Sequence, residues 1–172
     1  MLALLCASLL LTAVIVRSTY TPVTNLDQTA KLLEHNLRQK ESDVNAFINN
    51  KSNYNGLKTL EKKPQLSLNL IKKFTTDKSI WFITLTNNRL SFWSGIKVIP
   101  DRPETIKDGY SFRHEANGHY EVIKKSEGNF SVLFFIPVKL DYKFQNEYLQ
   151  NTFAVDLLKD NNIELADFTI KN

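Results

Sequence analysis

The sequence predicts an α+β fold in which a long helix precedes a mainly antiparallel sheet with packed helices. Two patterns predict it. Residues 26–47 carry apolar side chains at helical spacing, and residues 79–138 contain β-prone runs separated by turn residues. The 172 residues are 42% hydrophobic and include 11 Phe, 6 Tyr and 2 Trp, which is enough for the core of one domain.

The first segment, residues 1–17, is predicted to be a membrane anchor or an uncleaved signal. Met1–Val16 has no charged side chain, and Arg17 ends the run. A helix of that length spans about 24 Å, slightly less than a hydrocarbon core of about 30 Å. Snorkelling by Arg17 and an interfacial Tyr20 would close the gap. A cleaved signal peptide is the competing interpretation, and the single far-side Arg17 leaves the membrane orientation open.

Residues 18–50 are predicted to form a stalk-like long helix. Asn25 and Gln28 resemble a capping box at its start, and Thr24 with Asp27 is the alternative pair. Its narrow apolar stripe is expected to pack on the same domain. The stripe is alternatively expected to pair with a second copy of the chain as well, which predicts a homodimer through the helix Leu26–Phe47. Lys40 occupies the one non-apolar position of the stripe, whose other members are Leu26, Ala30, Leu33, Leu37, Val44 and Phe47.

Residues 51–172 are predicted to be an α+β sensing domain that packs with the long helix. Asn55-Gly56 indicates a turn, and Pro137 indicates that the most apolar strand ends or meets an edge there. Pro64–Phe74 is predicted to be a short helix, and Phe144–Leu158 is predicted to be a helix or an irregular helical segment. The predicted strands are Ser79–Thr86, Arg89–Trp93, Tyr110–Arg113, Tyr120–Lys124, Phe130–Val138 and Glu164–Ile170.

Charge and motifs exclude several classes of protein. The net charge of +4 is concentrated in Lys51–Lys78, but no nucleic-acid-binding motif accompanies it, so we expect no nucleic-acid partner. The single cysteine, Cys6, excludes a disulfide framework. Nucleotide-binding loops and hydrolase motifs are missing, so we expect no cofactor and no catalytic residue. We also expect no metal site, because His114-Glu115 lacks a second ligand at a suitable spacing.

Several short segments resemble the extracytoplasmic sensor region of membrane-bound sensor histidine kinases from Bacteroidetes-type bacteria. They are Ala30–Glu41, Trp81–Ile83, Leu90–Ser94, Asn117–Tyr120, Phe135–Lys139, Tyr142 and Asn146–Phe153. The resemblance implies a PAS/Cache-like sensing domain outside the inner membrane, with residues 18–172 in the periplasm, a second membrane span and a cytoplasmic kinase. The span and the kinase motifs do not occur in these residues, so the chain itself is expected not to be an enzyme. It is then either a fragment of a longer kinase or a stand-alone relative.

Large aromatic side chains with a few polar groups suit a pocket for a small-molecule ligand, whose identity the sequence does not reveal. The residues predicted to line this pocket are Trp81, Trp93, Tyr120, Lys139, Tyr142, Tyr148 and Asn151.

Two other functions remain open from the sequence. One is a stand-alone, membrane-tethered periplasmic binding or adhesion protein with the same fold. The other is a small exported hydrolase using Asp101, Glu104 or His114, which requires these groups to meet in one cleft.

Overall fold

The computed structural model describes residue 12, residues 26–98 and residues 100–158. Apart from Thr12, the predicted anchor at residues 1–17 lies outside these residues, as does the predicted strand Glu164–Ile170. The chain divides into two compact units, Met1–Lys31 and Leu32–Asn172. In the described part of the chain, no helix combines the length and the apolarity needed to cross a membrane.

The first half of the described chain is helical. Helix α1 spans Leu26–Asn49, α2 spans Lys51–Leu57 and α3 spans Pro64–Leu70. A 3₁₀ turn, Leu60–Lys62, precedes α3, and a π-helical turn, Ile71–Thr76, continues it. The predicted helix Pro64–Phe74 therefore exists as α3 and its π-helical extension.

A five-stranded antiparallel sheet follows. Its strands are β1 (Trp81–Thr86), β2 (Arg89–Trp93), β3 (Gly109–Glu115), β4 (Gly118–Glu127) and β5 (Phe130–Leu140). They are ordered β2-β1-β5-β4-β3, so the first and last strands are neighbours inside the sheet. The predicted α+β class is confirmed.

The two faces of the sheet are covered differently. Helices cover one face, where Phe47 and Phe74 contact Phe134 edge-to-face with ring centroids 6.4 and 5.2 Å apart. The loop between β2 and β3 covers the other face, where Val98 and Ile106 pack on the sheet. We call these the helix face and the loop face.

The apolar stripe of α1 packs on its own domain over part of its length. Val44 and Phe47 are buried in the helix-face core. Leu33 and Leu37 are half-buried and pack on a smaller cluster formed by Val138 and residues 153–158. Leu26 remains exposed. The homodimer through Leu26–Phe47 stays a prediction.

Two local predictions are wrong. Asn55-Gly56 lies inside α2 because Asn50 caps that helix, with its Oδ1 accepting from Asn53 N, and because tertiary burial of Tyr54 outweighs the turn propensity. Of the two alternatives for Phe144–Leu158, the regular helix is wrong, because these residues form an irregular segment. There the side-chain oxygen of Asn146 accepts from the amides of residues 148 and 149, a bonding pattern that competes with the helix.

Strand β5 continues past Pro137 to Leu140. A bulge places Pro137 opposite Tyr120 while Lys139 lies opposite His119, and β1 ends its pairing at Trp81–Phe135. Proline is tolerated where a strand neighbour is missing. Beyond that point residues 152–154 pair with the edge of β5 that β1 leaves unpaired. Leu140 N donates to Thr152 O, and Ala154 N donates to Val138 O.

Candidate functional site

A cleft of about 440 Å³ opens beside the first residue of β1. Trp81, Pro137 and Leu140 form one side of it, Lys97 contributes from the loop between β2 and β3, and residues 152–156 form a wall. We call residues 152–158 the wall segment. The Lys97 ammonium lies 4.8 Å from the centroid of the Trp81 ring, so the cleft combines an aromatic surface with a cation.

Trp81 fits there because its neighbour Gly95 has no side chain. A Cβ atom on Gly95 would lie 3.3 Å from Cδ1 and Nε1 of the Trp81 indole, closer than ordinary van der Waals contact. The half-buried indole therefore packs against backbone while part of its surface remains open to the cleft.

The wall segment is bonded to the long helix. The carboxylate of Asp156 lies 2.5 Å from the ammonium of Lys40, and the side-chain amide of Asn36 donates to the carbonyl of Leu157 at 2.9 Å. Lys40 is buried and also donates to the carbonyl of Lys78, three residues before Trp81. A ligand in the cleft would thus touch residues that are tied directly to α1.

The structure separates the other predicted ligand residues from Trp81. Trp93 lines a second, mainly apolar cleft of about 390 Å³ beside Ile96 and Pro103. Tyr148 is 84% exposed and lines a neighbouring cleft that shares Thr152 and Phe153 with the first.

The remaining predicted ligand residues make contacts within the fold, and their role in ligand binding stays a prediction. Tyr120 is fully buried, its hydroxyl donates to Asn117 Oδ1, and burial raises its pKa to about 12. Lys139 forms a β-bridge with Phe153 and holds its ammonium over that ring. Asn151 Oδ1 accepts from Tyr142 N at 2.7 Å, which fixes both residues in the loop after β5.

The three residues of the hydrolase alternative do not meet. Glu104 lies in the loop on the loop face, where its carbonyl accepts from Lys124, and Asp101 precedes it in the same loop. His114 lies on the helix face of β3, the face from which Tyr110 contacts Asn45 of α1.

The sequence does not reveal a group of three side chains that the structure brings together at the end of the sheet. His114, His119 and Asp141 offer ligand atoms that all lie within 4.8 Å of one another. Burial, and then the nearby His114, lower the pKa of His119, which favours the neutral imidazole. The available signal was the position of the two histidines on either side of a hairpin turn.

Glu121 is a buried acid at the interface between the sheet and α1. Burial first, and then the carboxylate of Glu41 on α1, raise its pKa to about 7, against a smaller opposing effect of Arg38. No donor from the described residues reaches its buried Oε2 atom, so the protonated form is favoured.

Comparison of the chain with protein-family models, curated proteins and solved structures gives no significant match.

Proposed function

We propose that the chain is the extracytoplasmic signal-sensing region of a membrane-bound two-component sensor histidine kinase. The resemblance of its aromatic segments to such regions supports the proposal. The sheet order β2-β1-β5-β4-β3 after a long helix supports a PAS/Cache-like identity for the fold. On this proposal residues 1–17 anchor the chain in the inner membrane and residues 18–172 lie in the periplasm.

The observation that carries the proposal is the bonding between the cleft wall and α1. Asp156 lines the cleft and pairs with Lys40, and the next residue, Leu157, accepts from Asn36. A ligand that binds Trp81 and Lys97 must accommodate or displace this wall. Its binding energy would then favour one position of the wall, and hence one packing of α1, over another.

Transmission along α1 is the second step. A sensor must convert a local contact into a shift of an element that leads away from the site, and α1 runs from the wall segment back towards residues 1–17 in the sequence. Pairing of two copies through Leu26–Phe47 would make that shift a change between two arrangements of a dimer. The membrane and a second copy of the chain are therefore the proposed partners.

The reading frame beyond Asn172 in the source DNA tests the kinase assignment. We expect it to continue into a second apolar span, a phosphoacceptor histidine and an ATP-binding core. A stop codon directly after Asn172 would contradict the assignment and leave the stand-alone, membrane-tethered binding protein as the explanation of the same cleft.

A covalent probe tests the coupling between the cleft and α1 without knowledge of the ligand. Lys97 is exposed and lines the cleft from the loop between β2 and β3, so a bulky maleimide on Lys97→Cys in a Cys6→Ser background would occupy the cleft. We expect faster hydrogen exchange in α1 between residues 33 and 40.

The matched control is Ile96→Cys with the same label, because Ile96 lines the second cleft. Its label should leave exchange in α1 unchanged. Equal exchange in labelled and unlabelled Lys97→Cys protein would show that the cleft is not coupled to α1.

A further inference from the structure

The corner of the sheet at the β3–β4 turn holds two imidazoles and a carboxylate. The hairpin places His114 opposite His119 in the strand register, and their rings stack with centroids 4.3 Å apart and planes within 8°. Asp141 follows β5, and its Oδ2 lies 3.7 Å from His114 Nε2 and 3.9 Å from His119 Nε2. The hairpin and the loop after β5 thus bring three possible ligand atoms within 4.8 Å of one another.

These separations suit a shared ion better than direct bonds. A hydrogen bond from an imidazole to a carboxylate needs about 2.7–3.0 Å, which both pairs exceed. Two atoms bound to one Zn²⁺ at about 2.0–2.1 Å in tetrahedral geometry lie about 3.3–3.4 Å apart. Rotation of the two imidazoles out of their stacked arrangement would therefore bring all three atoms into the coordination sphere of one ion.

The surroundings orient the ligands. Asn151 Nδ2 donates to Asp141 Oδ1 at 2.9 Å, which leaves Oδ2 directed at the imidazoles. The ring of Phe112 stacks on His119 with centroids 5.9 Å apart. Asp141 N donates to Asn117 O at 3.1 Å, so the loop after β5 is joined to the hairpin. Support of this kind around the ligating groups is typical of metal sites.

We propose that His114, His119 and Asp141 bind a divalent transition-metal ion, Zn²⁺ in the first instance. Two imidazoles and one carboxylate match the ligand preference of Zn²⁺. The His114 side chain is 62% exposed, so the site opens to solvent and leaves at least one position for water or an exogenous ligand. The proposal rests on this geometry alone and is independent of the sensor assignment.

Calorimetric titration of Zn²⁺ into the untagged full chain tests the proposal. A Cys6→Ser background removes the only thiol. We expect one saturable site, with affinity reduced at least about tenfold by His114→Gln and by Asp141→Asn. Asn151→Ala should weaken binding by about tenfold, as removal of a supporting group does.

The third histidine supplies the matched control. His35 is exposed on α1, so His35→Gln should bind Zn²⁺ like the parent. Because His114 is exposed, His114→Gln should keep the unfolding temperature of the parent without metal, which separates loss of a ligand from loss of the fold. Equal affinity of the parent, His114→Gln and Asp141→Asn, or no saturable binding by the parent, would overturn the proposal.

Discussion

Gly118 shows how one residue positions a site. Its φ is +152°, and a Cβ atom there would lie 2.4 Å from the carbonyl oxygen of Lys139. The close approach of backbone to backbone brings the start of β4 against the end of β5, beside which His119 and Asp141 meet. No other amino acid fits this position without moving one of the two strands.

We expect Gly118→Ala to lower the free energy of unfolding by about 2 kcal/mol or more, because the new methyl group overlaps backbone atoms. Chemical denaturation measures the change. Gly128→Ala is the matched control, since Gly128 also has a positive φ, +63°, but nothing lies within 4 Å of the added Cβ. Gly128→Ala should lower the free energy of unfolding by about 1 kcal/mol. Equal costs for the two variants would contradict the close-approach explanation.

Glu121 predicts a dependence of stability on pH. Unfolded, it titrates near the ordinary value of 4.5, whereas in the fold burial and then Glu41 raise its pKa to about 7. Between these pH values the folded protein binds the extra proton, so the free energy of unfolding falls as pH rises from about 4.5 to about 7 and then levels off. A pKa change of this size corresponds to about 3 kcal/mol for a fully buried carboxyl group. Solvent screening of the partly buried Glu121 reduces its expected contribution to about 1–2 kcal/mol.

Denaturation at several pH values in the presence of a chelator measures the effect. Glu121→Gln, which cannot ionise, should remove this part of the fall, while Glu127→Gln on the exposed end of β4 should retain it. If the parent and Glu121→Gln proteins changed equally in stability between pH 5 and pH 7.5, the raised pKa of Glu121 would be contradicted.

A site residue could be predicted from the sequence only where its position along a strand decides whether its side chain is exposed. Trp81 is the first residue of β1 and lines the cleft, and its role in ligand binding stays a prediction. Tyr120 has the same aromatic character, yet the alternation of β4 directs it into the loop-face core. His119 gave no signal alone, because its partners are supplied by strand register and by Asp141, which lies 22 residues further along the chain.

Among the elements, the contacts between the wall segment and α1 are those on which the proposed function depends. Among the described residues, Asp156→Ala would leave the buried ammonium of Lys40 with the carbonyl of Lys78 as its remaining hydrogen-bond acceptor, so we expect a loss of about 1–2 kcal/mol in the free energy of unfolding. The double variant Lys40→Met with Asp156→Ala should recover most of this loss, because it also removes the unpaired charge.

Thermal and chemical denaturation of the two single variants and the double variant measure the coupling. Glu34→Ala is the control, since it breaks the exposed pair with Arg38 on the same helix and should change little. If Asp156→Ala had the stability of Glu34→Ala, the wall would not be held to α1 by this pair.

Elements with a strong local pattern were predictable, and elements defined by side-chain bonds were not. The strands β1, β2 and β5 have continuous β-prone sequences, and Asn87-Asn88 marks the turn between the first two. Residues 144–158 carry apolar groups that suggest a helix. Asn146 and Asn151 instead bond nearby amides, and residues 152–154 pair with β5.

At the scale of the whole molecule, the stripe on α1 distinguishes a monomer from a paired stalk. Leu26 lies on the stripe and is 63% exposed, whereas Leu32 lies off the stripe and is 50% exposed. If two copies pair, we expect Leu26→Asp to weaken self-association at least about tenfold and Leu32→Asp to leave it unchanged.

Sedimentation equilibrium of the full chain in detergent, over a range of protein concentrations, measures this association. A parent protein that stays monomeric at the highest concentration would remove the dimer from the proposed mechanism.

The α+β class was predictable because helical and strand periodicities occupy different halves of the sequence. The sheet order was not predictable, since the pairing of β1 with β5 joins residues about 50 apart, and several antiparallel orders satisfy the same local patterns.

The pairing of residues 152–154 with β5 also makes detachment of the wall segment measurable without a label. The amide of Leu140 donates to the carbonyl of Thr152, and that of Ala154 donates to the carbonyl of Val138. Both bonds exist only while the wall segment lies against the strand. The hydrogen-exchange rates of these two amide protons therefore measure the fraction of time that the wall segment is detached in the unlabelled protein. A compound that occupies the cleft would change these two rates.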